Sequence, residues 1–249
     1  MSTDVGPQEH APPRLASVSC AVMAYNEEEM LEQATRAVRE ALLRTGREFE
    51  IIIVDDGSRD RTAALARELA TRWPEVRLVQ HGANRGPGSA IVTGLAEARC
   101  ELFCFHPADN QLVFDDIAAA LPGLDGQYDL LVGERSDRHD YSLLRRGYSY
   151  GYIALAWLLF GLRGYRDFNF VYAFRRDLFD EIEIETSGLF LCTEVLVKAL
   201  DRGYRAGVMR ARYLPRTTGV STVGRPQVAL ETLRRMLGFW WRYRVRGRN

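Results

Sequence analysis

The stretch Phe49-Glu50-Ile51-Ile52-Ile53-Val54-Asp55-Asp56-Gly57-Ser58 runs from an apolar, β-branched segment directly into two acids, a glycine and a serine. Ile51 to Val54 shows no polar alternation, the pattern of a strand covered on both faces. The Asp-Asp-Gly-Ser sequence supplies turn chemistry that stops it. A helical pattern follows from Arg59 to Trp73, with Leu65, Leu69 and Trp73 at i, i+4 and i+8. Ser58 is placed as its N-cap, and Pro74 follows its end.

The same alternation extends in both directions. Upstream, Val18 to Ala24 is an apolar run that reaches the turn residues Tyr25-Asn26, with a helical pattern from Glu28 to about Leu43. Downstream, Val76 to Gln80 predicts a third strand, Gly86-Pro87-Gly88 opens a helix to Ala98, and Glu101 to His106 predicts a fourth strand. The glycines before that helix serve close packing or the approach of a ligand. Strands and helices alternating at these lengths imply an α/β fold: a Rossmann-like, mostly parallel central sheet with helices on both faces, in a single domain. Ligands of such sheets bind beyond the carboxyl ends of the strands. The loops after Ala24, Val54 and His106 all carry acids there: Glu27, then Asp55 and Asp56, then Asp109.

The second half is less regular. Tyr128–Gly133, Phe168–Phe174 and Ala206–Tyr213 read as strands, and Leu143–Leu162, Cys192–Arg202 and Pro226 to about Arg246 as helices. Neither an internal repeat nor a linker divides the chain. Residues 1–16, with Pro7, Pro12 and Pro13, read as a disordered tail without a signal peptide's apolar centre. Residues 17–224 read as the domain, and 225–249 as a basic, aromatic C-terminal helix.

Composition narrows the function. Of 249 residues, 47% are hydrophobic, enough for a sizeable core. Lys+Arg and Asp+Glu number 33 each, so no basic excess invites nucleic acid. Lys198 is the only lysine. The four cysteines form no Cys-x-x-Cys pair and have no histidine cluster nearby, the pattern of reduced buried thiols rather than zinc ligands. The longest apolar run, Tyr152 to Leu162, falls short of the about 20 residues that span a bilayer. A cytoplasmic protein, peripheral at the inner face of the cell membrane, is the expectation.

An ordered set of motifs adds to this. Ala24-Tyr25-Asn26-Glu27, Val54-Asp55-Asp56-Gly57-Ser58 with Asp60 and Thr62, and Asn84-Arg85-Gly86-Pro87-Gly88 resemble successive motifs of the family 2 glycosyltransferases, which have the GT-A fold. The resemblance continues through Pro107-Ala108-Asp109-Asn110-Gln111, Gly133-Glu134-Arg135-Ser136, Ala173-Phe174-Arg175-Arg176, Thr193-Glu194 and Arg216 to Ser221. It covers roughly residues 18–224 and is strongest to the dolichol-phosphate mannosyltransferase and polyprenyl-phosphate glycosyltransferase branch. The resemblance implies an inverting hexosyltransferase that takes a sugar from a UDP- or GDP-linked donor.

By that resemblance, Ala24, Tyr25 and Glu27 line the nucleotide pocket, Asp55 and Asp56 contact base and ribose, and Ala108 touches the substrate. Asp109 takes the place of the second acid of Asp-x-Asp, the one that reaches a Mg²⁺ or Mn²⁺ on the diphosphate, and Gln111 assists the metal. Pro107 replaces the first acid and offers no side-chain ligand. Arg135 approaches phosphate. Arg216 and Ser221 belong to a phosphate-clasping loop, in which Thr222 stands where the branch often has lysine. Asp167 and Asn169 flank the acceptor side. Glu194 matches an acid that faces the acceptor and serves as general base if that acceptor is a hydroxyl. A lipid phosphate is already anionic and needs no base.

A polyprenyl phosphate is therefore the expected acceptor, with a hydroxyl of a secondary metabolite or glycan as the alternative. Pro107 and the missing lysine also leave open a non-catalytic, sugar-nucleotide-binding subunit. A nucleotidyltransferase ranks last, because its Gly-rich, Lys-bearing loop after the first strand is absent. His106 reads as a core histidine. The aromatic run Tyr148, Tyr150, Tyr152, Trp157–Phe160, and the tail with Phe239, Trp240, Trp241, Tyr243 and its arginines, suit either a membrane surface, a packed core or self-association into a homo-oligomer.

Overall fold

Four of the strands obey the alternation. In the computed structural model, which describes residues 14–135, 143–168, 172–186, 188–214 and 226–247, β1 (Ser17–Ala24), β2 (Glu48–Asp55), β3 (Val76–Gln80) and β4 (Leu102–Pro107) are mutually parallel. The order across the sheet is β3-β2-β1-β4-β6-β5-β7. β6 (Tyr172–Arg175) runs antiparallel between β4 and β5 (Leu130–Arg135), and β7 (Ala206–Ala211) is parallel to β5. The sheet is thus mostly parallel, with one reversed strand.

Helices close both faces, and the period-2 alternation of each strand decides which residues meet which helices. Val18, Cys20, Val22, Ile51, Ile53, Leu102 and Cys104 pack with α1 (Leu31–Thr45), α2 (Thr62–Arg72) and α4 (Phe114–Ala120). Ala21, Ile52, Val54, Phe103 and Phe105 pack on the opposite side with α3 (Pro87–Glu97), α5 (Leu143–Phe160), α6 (Leu191–Asp201) and α7 (Pro226–Trp240). Cys20, Cys104 and Cys192 are buried free thiols, and Cys100 is half-buried.

Several element ends differ from the sequence expectation for local reasons. α1 starts at Leu31, past Glu28, because the Glu27 carbonyl first accepts the amides of Met30 and Leu31. Ser58 is not the N-cap of α2. Its hydroxyl accepts the Asn26 amide, and Asp60 instead accepts the amide of Thr62 at the helix start. Of the strand expected over 168–174, residues 169–171 lie outside the described residues, and β6 covers Tyr172–Arg175. The short α4 follows the acid-bearing turn after β4 and had no counterpart in the sequence pattern.

The C-terminal helix belongs to the core of the second face. Phe239 is fully buried, with its ring centroid 5.8 Å from Phe160, 5.4 Å from Phe190 and 5.0 Å from Tyr243. A π-helical turn over Trp241–Val245 extends α7 and brings Tyr243 beneath it. The opposite side of this helix carries exposed Leu230, Leu237 and Trp241. Phe239→Ala is expected to cost about 3–5 kcal/mol in urea unfolding, whereas Trp241→Ala stays within about 0.5 kcal/mol. Equal effects would contradict this packing.

Candidate active site

The chain steps from β1 out to β3 and then returns to β4 on the other side of β1. The reversal places a crevice at the carboxyl ends of β1, β2 and β4. Met23 pairs with Val54 on one side and Pro107 on the other, so the turns after these three strands rise from one rim. The amides of Asp56 and Ala108 donate to the carbonyls of Ala24 and Met23. Ala24 and Ala108 are thereby buried hinges of that rim.

A lattice of side-chain to backbone hydrogen bonds fixes the first two turns against each other. The Asn26 side chain accepts the Arg59 amide at 2.8 Å, and Asn26 itself has φ 53°. Thr62 Oγ1 accepts the Glu27 amide at 2.9 Å, Asp60 accepts the Glu28 amide at 3.2 Å, and Glu28 accepts the Arg61 amide at 3.0 Å. Burial pushes the Asp60 carboxyl up, but its hydrogen bonds from Thr62 and Glu28 outweigh this and hold it below the usual value. The two turns and the exit of β3 enclose a cleft of about 500 Å³, lined by Tyr25, Gly57–Arg59 and Gln80–Asn84. Gly57 has φ 75°, and a side chain there would run into the Ala83 backbone.

Asp56 organises the far wall of this cleft. One carboxylate oxygen meets His81 Nδ1 at 2.7 Å and the Arg85 amide at 2.8 Å, and the other accepts the Gly86 amide at 2.8 Å. His81 Nε2 in turn meets Thr93 Oγ1 at 2.9 Å. Both oxygens thus hold the protein's own groups, so Asp56 shapes the loop that lines the cleft. Asp55 is different. It is fully buried, one oxygen accepts the Ser58 amide at 3.0 Å, and the other finds no partner among the described residues. A buried carboxylate oxygen without a donor is unusual in a folded protein, and this one lies beneath the cleft-lining turn.

Across the rim, Asp109 follows β4 and is half-buried, with one oxygen accepting the Gln111 amide at 3.2 Å. Neither Asp109 nor Glu27 lines the cleft itself; both occupy the adjoining β1–β4 part of the rim. Gln111 is buried, its carbonyl oxygen accepts the Tyr213 hydroxyl at 2.7 Å, and its Nε2 donates to the Leu214 carbonyl at 3.4 Å. An isolated antiparallel bridge pairs Leu112 with Tyr213. Gln111 thereby ties the turn after β4 to the Tyr213–Leu214 segment. Arg135 is buried with its guanidinium 3.8 Å from the centre of the Tyr213 ring, so it braces the same junction.

Among the described residues, no group of three or more His, Cys, Asp or Glu can hold a metal ion. Asp109 alone suits a Mg²⁺-type ion that takes its remaining ligands from a diphosphate and water. His106, beneath this turn, is fully buried edge-on to Phe114, and burial lowers it to about 3, so it stays neutral. Arg216, Ser221 and Asn169 lie outside the described residues.

Glu194 also departs from its expected role. It is fully buried, and its carboxylate accepts the Glu185 amide, the Thr186 amide and Lys198 Nζ, each at 2.8 Å, together with the Thr186 hydroxyl. Four donors occupy it, which corrects the expectation of a general base: a proton acceptor needs a lone pair facing the acceptor.

A model of glycosyl transferase family 2 matches residues 19–183. The chain belongs to this family. Its relatives include a dolichol-phosphate mannosyltransferase of Pyrococcus furiosus, 28% identical over 73% of this chain and 52% of the relative. Another is an undecaprenyl-phosphate 4-deoxy-4-formamido-L-arabinose transferase of Pseudomonas aeruginosa, 36% identical over 49% of this chain and 37% of the relative. The chain spans about half the length of these relatives or less. The fold is GT-A: glucosyl-3-phosphoglycerate synthase of Mycobacterium tuberculosis, solved with Mn²⁺, UDP and phosphoglyceric acid, superposes with a TM-score of 0.70 at 16% identity, covering 90% of this chain and 78% of the other.

Sequence reasoning overlooked His81, Gln80 and Arg59 as cleft residues. The signal was present, since Gln80 ends β3 and His81 follows it at the carboxyl end of the strand, but that loop carries no acid. Asp56→Ala is expected to destabilise the protein by about 2–3 kcal/mol, because it strands His81 and two loop amides. Thermal shift with UDP and with GDP should report the loss of nucleotide stabilisation in the same variant; retained stabilisation would show that the loop does not need its clamp.

Proposed function

We propose that the chain transfers a hexose from a UDP- or GDP-linked donor to a polyprenyl phosphate, with inversion at the anomeric carbon. The donor nucleotide lies along the rim, and the free oxygen of Asp55 accepts a base or ribose hydrogen. Tyr25 and the Asp56-held loop cover it. Asp109 would hold a Mg²⁺ or Mn²⁺. When bound, that ion neutralises charge developing on the departing nucleoside diphosphate. The acceptor oxygen attacks from the opposite face. Its bond to the anomeric carbon forms as the bond to the diphosphate breaks, and the electron pair leaves with the nucleoside diphosphate.

The observation that carries the choice of acceptor is the saturation of Glu194 by four donors. A hydroxyl acceptor requires a base, whereas a phosphate monoester arrives as an anion. The two relatives above bear polyprenyl-phosphate transferase names, which supports the same choice. Membrane-extracted acceptor with radiolabelled UDP- or GDP-sugar should carry label into the lipid phase, and Asp109→Ala should lower that rate about 100-fold or more. Transfer to water-soluble acceptors alone contradicts the proposal, and absence of any turnover favours a non-catalytic binding subunit.

The acceptor lives in a bilayer, and one surface suits a peripheral contact with its cytoplasmic face. Among the described residues, no helix is long and apolar enough to cross a membrane. α5 and α7 are neighbours, and their outer sides expose Tyr150 (60%), Leu158 (77%), Leu237 (43%) and Trp241 (51%). Exposed Arg234, Arg242 and Arg246 flank this surface, a combination that matches an anionic headgroup layer. Sedimentation with phosphatidylglycerol vesicles should fall about tenfold for Leu158→Glu with Trp241→Ala. Unchanged sedimentation removes this surface from the account.

A further inference from the structure

The only lysine of the chain is buried. Lys198 Nζ donates to Glu194 Oε1 at 2.8 Å, to Glu185 Oε1 at 2.6 Å and to the Glu183 carbonyl at 2.8 Å. It also lies 5.6 Å from the ring centre of Phe239 and 5.9 Å from that of Tyr243. Burial opposes its charge, but the two carboxylates outweigh burial and raise its pKa. Arg242 adds a looser ion pair to Glu185 at 3.7 Å. Burying a pair of charges is expensive compared with an apolar pair of the same shape, so a persistent buried pair needs a reason beyond stability.

What the pair holds suggests that reason. Glu194 grips the amides of Glu185 and Thr186, and Lys198 grips Glu183 and Glu185. The chain then reaches Gly188, which packs so closely on Gly88 that a methyl at Gly88 would collide with the Gly188 backbone. Gly88 is the second residue of α3, directly after Gly86, whose amide the Asp56 carboxylate holds. One route of contact therefore runs from α6 and α7 through the Glu183–Thr186 segment to the loop that forms the far wall of the nucleotide cleft.

We infer that Glu194 and Lys198 are positioning residues for donor binding: their ion pair sets the Glu183–Thr186 segment so that Gly188 backs Gly88 and keeps the His81–Gly86 loop in its cleft-forming shape. The inference rests on the proposed nucleotide site, and it gives Glu194 a role in the reaction without proton transfer.

The test combines Lys198→Met with Glu194→Gln, so that no buried charge is left alone, and compares this pair with Gly88→Ala and with all three changes together. Hydrogen exchange of the free protein should quicken across residues 81–88 in each variant. UDP or GDP affinity, by calorimetry, should fall about fivefold to tenfold in each, with the triple variant no worse than the weaker of the two. Unchanged exchange across 81–88 in a folded variant overturns the inference, as does strict additivity in affinity. Wild type that binds neither UDP nor GDP overturns the donor reading instead, and the exchange arm then decides the positional claim alone.

Discussion

A carboxylate taken out of water must collect hydrogen-bond donors, and in this chain that requirement builds the rim of the sheet. Asp56, buried at the end of β2, gathers His81, Arg85 and Gly86 from a loop that begins after β3. That clamp acts together with the bond from the His81 amide to the Asp55 carbonyl to hold the loop beside Tyr25 and Ser58. Asp60 performs the corresponding task between the first two turns, and Glu194 behind α3. Asp55 breaks the pattern. It is as buried as Asp56 and Glu194, yet one oxygen lacks a partner among the described residues. The satisfied acids make the frame, and the proposed mechanism gives the open oxygen of Asp55 to the donor nucleotide.

Chemistry follows from this division. An enzyme that must bind a nucleoside diphosphate sugar needs acceptors for base and ribose at one end and compensation for the diphosphate at the other. In the proposed mechanism Asp55, at the end of β2, serves the first and Asp109, in the turn after β4, serves the second, with β1 between the two strands. No single loop spans both positions, so the parallel pairing of β2, β1 and β4 is what sets their spacing. Pro107, at the end of β4, contributes backbone to that pairing and no ligand. Asp109 therefore carries the metal role alone in the proposed mechanism.

The first half of the fold was legible because its signals are local. Ile51–Val54 is apolar without alternation, and only a strand buried on both faces reads that way. Val76–Gln80 coincides with β3, and the acids after β1, β2 and β4 do share a rim. What the chain concealed were partnerships between distant residues. Gln111 meets Tyr213, about a hundred positions away, and this decides that its amide turns inward. Glu194 looks like an exposed helix-start acid until the Glu185–Thr186 segment and Lys198 close around it. The aromatic tail left membrane contact, core packing and self-association open, because nothing in its own spacing shows that Phe239 reaches Phe160 and Phe190. Residue type announces that a group is polar or apolar; the partner decides whether it acts or supports.

The most direct measurement is a crystal structure of the protein soaked with UDP or GDP and Mn²⁺. The account predicts a nucleotide stretched along the strand ends, with a base or ribose hydrogen on the free oxygen of Asp55 and the metal-bound diphosphate against Asp109. Density for the nucleotide at any other surface, with the Asp55 carboxylate still unpartnered, would contradict it.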